Sequence, residues 1–225
     1  MIEIAADFAA AGVVVGLGWV ETEVEVAPSD AALDRALAAG VRAAAERLEE
    51  SRAQDWPAVA ATRAAYKALG KDPARYRPAA EALLRRVAQG KGLFRVNNVV
   101  EVNNLLSLET GFSIGVYDLA ALTPPVVFRR GRPGEVYAGI GRGPLNLDGL
   151  PVFADASGPF GSPTSDSARS MVGDATVRAL MVVIGFAPVV VEPAHLARAG
   201  ALLEAHGASR AVASGLVSSS SNSAS

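Results

Sequence analysis

Apolar residues cluster from Val13 to Val20, and from Glu21 to Val26 glutamates alternate with apolar positions. The first run reads as a buried strand and the second, at period two, as a half-solvated one. Pro28-Ser29-Asp30 then offers a helix N-cap, and Leu33, Leu37, Val41 and Leu48 recur at helical spacing among alanines of high helix propensity. A second helix is predicted from Pro57 to Leu69, stopped by Gly70. A third runs from Pro78 to just before Gly90, with Arg85 and Arg86 where the helix dipole favours cations. Beyond Gly92 the pattern turns to β structure. Leu93–Val96 and Val99–Val102 read as strands on their β-branched content, followed by a helical turn over Asn104–Leu108. Val126–Phe128 is expected to pair with Glu135–Tyr137, and Gly149–Ala154 to form a further short strand. Asp155–Asp166 reads as a Gly/Pro/Ser loop. Thr176–Phe186 is assigned to strand because Val177, Val182, Val183 and Ile184 are β-branched. Pro193–His206 is the last helix, closed by Gly207, and the Ser-rich stretch 218–225 is expected to be disordered.

Helices gather on the N-terminal side, strands in the middle, and one helix near the end, which predicts an α+β fold. The 225 residues suit a single domain over 1–217, with its helical part at about 28–90. There are no cysteines, which excludes disulfides and thiolate chemistry and fits a reducing cytosol. The formal net charge of -2 supplies no long-range field for nucleic acid, so any RNA contact must be local. Glu3 and Asp7 stand where a secretory signal carries Lys or Arg. The longest apolar run, Ala179–Val191, is broken by Gly185 and Pro188 and is too short to span a bilayer. The expectation is a cytoplasmic protein with no membrane partner.

Candidate chemistry concentrates in two segments. Asn97, Asn98, Asn103 and Asn104 surround one apolar run, and an asparagine amide can satisfy loop backbone or read a polar ligand. Gly158, Gly161, Ser162, Thr164, Ser165, Asp166 and Ser167 form a hydroxyl-rich loop that can hold a ribose, a phosphate or an ordered water, or simply cap a turn. Arg169 beside it can pair a phosphate or satisfy Asp166. Asp118 reads as a structural acceptor of backbone N–H bonds, whereas Glu101 and Glu109 qualify as general bases only if buried with raised pKa values. Lys67, Lys71, Arg75, Arg77, Arg85, Arg86 and Lys91 make the densest basic zone, either a solvated face or a local footprint for an RNA backbone. Gly139-Ile140-Gly141-Arg142-Gly143 is followed by Pro144 rather than a helix, so it reads as a glycine hairpin and not a nucleotide loop. His195 and His206 lie eleven residues apart, about 16 Å along one helix, too far to share a metal. No Gly-x-Ser-x-Gly elbow is present. Neither a metal nor a cofactor is implied.

Three blocks carry a resemblance. Val-Glu-Val-Asn-Asn-Leu-Leu-Ser-Leu-Glu-Thr-Gly (100–111), with Ile-Gly-Val-Tyr-Asp (114–118), resembles the B3/B4-type tRNA-binding domain. That domain is the editing module of the phenylalanyl-tRNA synthetase beta chain, whose pattern is roughly Val-Asp-x-Thr-Asn-Tyr-x-x-Leu-Glu-x-Gly-x-Pro-x-His-Ala-Phe-Asp. Gly-Pro-Phe-Gly-Ser-Pro-Thr-Ser-Asp-Ser (158–167) and Leu-Gly-Lys-Asp-Pro-Ala-Arg-Tyr-Arg-Pro (69–78) are similar to the freestanding members of that group. The resemblance implies a layered β/β/α sandwich and a freestanding protein that hydrolyses the ester of mischarged aminoacyl-tRNA in trans. It places Asn104 at the family's pocket asparagine, with Gly161 and Ser162 as its partners in catalysis. Asn103, Gly115, Gly158, Thr164, Ser165, Asp166 and Arg169 fall to the substrate, and Lys71, Arg75, Arg77, Arg85, Arg86 and Lys91 to the tRNA backbone. Gly115 stands where the synthetase has a histidine, which is expected to enlarge the pocket and alter its specificity. The ligase modules of the beta chain have no counterpart here. The alternative is a non-catalytic pocket for an amino acid or nucleoside, which the slightly acidic balance favours.

Overall fold

The computed structural model describes residues 2–141, 143–206 and 210–219. In chain order its elements are β1 (Ile2–Ile4), β2 (Val15–Glu23), α1 (Ala31–Glu50), α2 (Pro57–Ala68), α3 (Ala79–Ala88), α4 (Asn98–Thr110) and β3 (Ser113–Asp118). There follow β4 (Val126–Arg130), β5 (Val136–Ala138), β6 (Pro144–Asn146), β7 (Pro151–Asp155), β8 (Gly158–Gly161), β9 (Arg178–Phe186), α5 (Pro193–His206) and β10 (Arg210–Ser218). One sheet has the order β1-β4-β7-β8 and a second the order β10-β2-β9-β3, while β5 and β6 form a separate hairpin.

The second sheet is the middle layer of an α+β, β/β/α arrangement. Toward the first sheet it buries Leu17, Leu180, Val182, Ile184 and Phe186 against Phe128, Phe153 and Phe160. Toward the helices it buries Val20, Met181 and Val183 against Leu33, Leu37, Val102, Leu105, Leu106 and Leu203. Covered on both faces, β9 needs no polar side; every residue after Arg178 is buried. β3 is the sheet's edge and keeps a strict alternation: Ile114 and Val116 belong to the helix-side core and Tyr117 to the core between the sheets.

The helix signals read from sequence hold for α1, α2, α3 and α5. Asp30 caps α1, its side chain accepting from the Leu33 N–H at 2.7 Å, and Pro57 opens α2. The last helix ends at His206; Gly207 lies outside the described residues. The main correction is α4. Val99–Val102 was expected to be strand, with only a helical turn after it, but the β-branched run is helical from Asn98 because its ends are capped. Asn97 Oδ1 accepts the Val100 N–H at 2.9 Å, and Gly111 closes the helix at φ 76°. The helix is buried nearly all round, through Val99, Val102, Leu105, Leu106 and Leu108, so no amphipathic stripe announced it. Leu93–Val96 is a connection without strand pairing. Three strand expectations also change. β4 pairs with β1 and β7, leaving β5 to pair with β6 around the glycine hairpin. β8 lies inside the segment expected to be loop, its Gly161 opposite Phe153. β10, unforeseen, runs antiparallel to β2 as far as Ser218, and the Ser219 hydroxyl accepts the Val15 N–H, so the fold includes the first two residues of the stretch expected to be disordered, whose remainder, 220–225, lies outside the described residues.

Candidate ligand cavity

β3, the edge of the middle sheet, borders a cavity of about 360 Å³ between α3, α4 and the loop after β8. Ile114 and Val116 form its floor because they are the helix-facing positions of β3. Val100, Asn103, Asn104 and Ser107 supply the α4 wall, one helical face at spacings of three and four. Ala79, Ala82, Leu83 and Arg86 do the same from α3. Thr164, Ser165 and Asp166 close the remaining side with Met171 and Val172, and Phe94, Val96 and Ile140 rim the mouth.

Five of the residues singled out for substrate or catalysis therefore meet: Asn103, Asn104, Thr164, Ser165 and Asp166. The others stand behind the wall, for identifiable reasons. Ser162 organises its own loop: its Oγ donates to the Ser165 carbonyl and accepts the Thr164 and Ser165 N–H groups and the Tyr137 hydroxyl. Gly161 and Gly115 make room for one phenol. A Cβ at Gly115 would lie 2.0 Å from Tyr117 Oη, and one at Gly161 would lie 2.3 Å from it. Gly115 thus faces the core between the sheets, not the cavity, and the room expected there is filled by Tyr117. Arg169 does not pair with Asp166; it binds Asp155 at 3.0 Å and the carbonyls of Ala121 and Gly158. Burial pushes Asp155 up, but Arg169 and the N–H groups of Thr123 and Ser157 outweigh it and hold the carboxyl below its ordinary value.

The basic zone divides. Lys71 and Arg75 lie over the Tyr76 ring, with Lys71 4.0 Å from Asp148. Arg77, Arg85, Arg86 and Lys91, with Gln89, line a second, shallower cleft of about 310 Å³. Ala82, Arg86 and Phe94 belong to both cleft and cavity, so the two adjoin at these side chains. Arg86 stacks 3.8 Å from the Phe94 ring centroid, and its Nε is buried without a hydrogen-bond partner. Behind the cleft, Glu81 is fully buried between Arg63 at 2.7 Å, Arg85 at 3.3 Å and Arg77 at 3.7 Å.

Asp166 meets no such cation. Its Oδ1 accepts the Tyr117 hydroxyl at 2.9 Å and the Ser162 N–H at 3.2 Å, while Oδ2 has no hydrogen bond among the described residues. Burial pushes its carboxyl up to about 7 against the opposing pull of those two donors. Burial, and then the neighbouring carboxylate, raise Tyr117 well above the usual phenol. Asn103 turns its Nδ2 to the Ile114 carbonyl at 3.3 Å and leaves a buried Oδ1 without a donor. The Asn104 amide makes no hydrogen bond with another described residue. Thr164 is committed to Tyr66 and the Tyr76 carbonyl, and Ser107 to the Phe112 carbonyl.

The remaining candidates are structural. Asp118 accepts from the Ala120 N–H and the Thr176 hydroxyl, as expected of it. Glu101 is buried but holds Ser29, the Val96 N–H and Arg95, and Glu109 is paired with Arg198. His195 accepts the Glu192 N–H and packs edge-on against Phe112. Among the described residues no group of three or more His, Cys, Asp or Glu can hold a metal, and no helix is long and apolar enough to cross a membrane. Tyr117 and Glu81 were missed by sequence reading. Gly115, two positions before Tyr117 and hence on the same strand face, was a usable signal that an aromatic ring needed space there. Nothing in the sequence marked Glu81.

The B3/4 domain family model matches residues 61–199, which contain every residue of the cavity wall. Among solved structures, an N-terminal fragment of the phenylalanyl-tRNA synthetase beta-subunit from Pyrococcus horikoshii is similar at 18% identity and a TM-score of 0.35. That alignment covers 39% of this chain and 33% of the fragment. None of the curated proteins compared with the chain matches it.

Proposed function

Because the chain belongs to the B3/4 domain family, we propose that it binds tRNA at the aminoacylated acceptor end and hydrolyses the ester of mischarged aminoacyl-tRNA in trans. The observation that carries this reading is that the cavity adjoins the cation-lined cleft across Ala82, Arg86 and Phe94: one space suits an aminoacyl group, the adjoining one the phosphates that follow it. Arg86 lies where they join, with an unpartnered guanidinium nitrogen in a setting that suits a phosphate or carboxylate. Arg77, Arg85 and Lys91 extend the same footprint. Contacts of this kind act locally, as the net charge of -2 requires.

The reaction needs a positioned water and a stabilised oxyanion. Water adds to the ester carbonyl carbon, the bond to the ribose oxygen breaks, and the water's proton passes to that oxygen, aided by the vicinal ribose hydroxyl. The products are a free amino acid and an uncharged tRNA. The unengaged amide of Asn104 donates to the oxyanion. Gly161 and Ser162 support the step from behind the wall, by seating Tyr117 and by shaping the 162–166 loop.

The test is a deacylation panel in which the purified protein meets radiolabelled tRNAs carrying matched and mismatched amino acids, with Asn104→Ala as control. Selective loss of a mischarged species, reduced at least about a hundredfold in the variant, supports the proposal. Absence of turnover on every pair defeats it and leaves the cavity as a binding pocket for a free amino acid or nucleoside.

A further inference from the structure

We infer that the cavity selects a ligand with a primary ammonium head and an aliphatic body; on the aminoacyl-ester reading above, on which this identity rests, that is an aminoacyl group whose side chain is aliphatic rather than phenolic.

Two acceptors on the cavity's polar wall are met by no donor of the protein among the described residues. Asn103 is 7% exposed, and its orientation is fixed because Nδ2 is turned to the Ile114 carbonyl. Its Oδ1 therefore remains a buried acceptor with nothing to accept, a state that costs about 1–3 kcal/mol until a ligand supplies the proton donor. Asp166 adds the second acceptor. Both of its bonds from the protein fall on Oδ1, so Oδ2 is open. Two hydroxyls of the wall do not serve them: Ser107 gives its proton to the Phe112 carbonyl, and Thr164 sits between Tyr66 and the Tyr76 carbonyl. A carboxylate or phosphate head would be repelled here by Asp166. An ammonium has three N–H donors and no acceptor, and its charge is the one that a carboxylate without a cation calls for.

Much of the rest of the wall is carbon. Leu83, Val100, Ile114, Val116, Met171 and Val172 offer no hydrogen-bonding side-chain atom except the weakly accepting thioether of Met171. A phenolic hydroxyl buried against them would lose its water without replacement. The cationic side of the mouth, at Arg86, suits the opposite pole of the ligand, the acyl group and what is attached to it. Head, body and exit are thus assigned by three different chemistries.

Titration calorimetry on the intact protein with leucinamide, 4-methylpentanamide (the same amide without the amino group) and tyrosinamide tests this directly. Leucinamide should bind at least about tenfold more tightly than either of the others. Asp166→Asn should weaken leucinamide by about tenfold and leave 4-methylpentanamide unchanged. Equal binding with and without the amino group, tighter binding of tyrosinamide, or no binding of any of them at about 10 mM would overturn the inference. The two proposals fail separately. Leucinamide binding without deacylation of any aminoacyl-tRNA defeats the editing reading alone; deacylation confined to tyrosyl-tRNA defeats the aliphatic assignment and leaves editing standing.

Discussion

Glu81, fully buried, and Asp166, partly buried, are both carboxylates in segments that border the same cavity, and they are treated in opposite ways. Glu81 is enclosed by Arg63, Arg77 and Arg85, so its charge is matched several times over. Asp166 receives one phenol and one backbone N–H, with no cation among its partners, and its carboxyl titrates near 7. A buried charge that is paired and hydrogen-bonded belongs to the scaffold; one left with an open oxygen is available to a ligand. Glu81 anchors the arginines of the cleft, whereas Asp166 presents unspent electrostatics to the cavity.

The largest effect is expected at the saturated site. Glu81→Gln keeps the volume but removes the charge that three guanidiniums share, and should cost about 3–5 kcal/mol in urea unfolding. Asp166→Asn at pH 6 should cost far less, because the amide keeps an acceptor for Tyr117 and Ser162 and the native carboxyl is already largely protonated. Equal losses at the two sites would erase the contrast. Next comes the packing that holds Asp166. In Gly115→Ala the new Cβ would lie 2.0 Å from Tyr117 Oη, so the phenol must leave its place, at a cost of about 1–3 kcal/mol. Gly115→Ala/Tyr117→Phe should recover part of that loss, since the closest atom is gone; no recovery would mean that the strand itself, not the phenol, resists the methyl.

These sites also show how far the sequence could be read. α1, α2, α3 and α5 were legible because their caps and apolar spacing agree, as at Asp30 and Pro57. α4 was not: its β-branched residues argue for strand, and the evidence against it, Asn97 and Gly111 at its two ends, has meaning only once a helix is assumed. β10 lies in a weakly patterned Ala/Ser/Val stretch, and only its partner β2 defines it. The cavity's polar wall was legible as residue types at Asn103, Asn104 and Thr164–Asp166, since motif order placed them. Which side a residue faces was not, because the alternation of β3 could not be anchored before its neighbours were known. Gly115 was therefore given to the cavity, while Ile114 and Val116 went unnamed. Arg169 was assigned by proximity in sequence, yet Asp155, fourteen residues earlier, holds it.

The open site also predicts a pH dependence that the saturated one does not. The folded carboxyl of Asp166, at about 7, lies above the ordinary value of 3.8, so between the two the folded protein retains a proton that the unfolded chain has released. Stability from this group is present below the ordinary carboxyl range and is lost as pH rises through about 7, with a slope of at most about 1.4 kcal/mol per pH unit. The groups that face the carboxyl, Tyr117 from β3 and Tyr66 from α2, are both raised above the usual phenol range and stay neutral throughout. Asp166→Asn should remove this slope from unfolding free energies measured between pH 5 and pH 8. An unchanged slope would assign it elsewhere.

The smallest effect isolates a single hydrogen bond. The Tyr117 hydroxyl donates to the charged form of Asp166 and so lowers its pKa, opposing burial. In Tyr117→Phe that opposition loses its larger part while the ring still fills the space beside Gly115 and Gly161, leaving the Ser162 N–H as the remaining donor. The titration midpoint of Asp166 should therefore move upward from about 7, by somewhat less than about one unit, equivalent to roughly 1 kcal/mol. Carboxyl ¹³C chemical shifts across pH 5 to 9 in protein labelled at aspartate, with Asp166→Asn to assign the resonance, measure this directly. A downward shift would mean that the phenol accepts from a protonated Asp166 rather than donating to it. The carboxyl would then be a donor at neutral pH, and the head group that the cavity receives would have to be an acceptor.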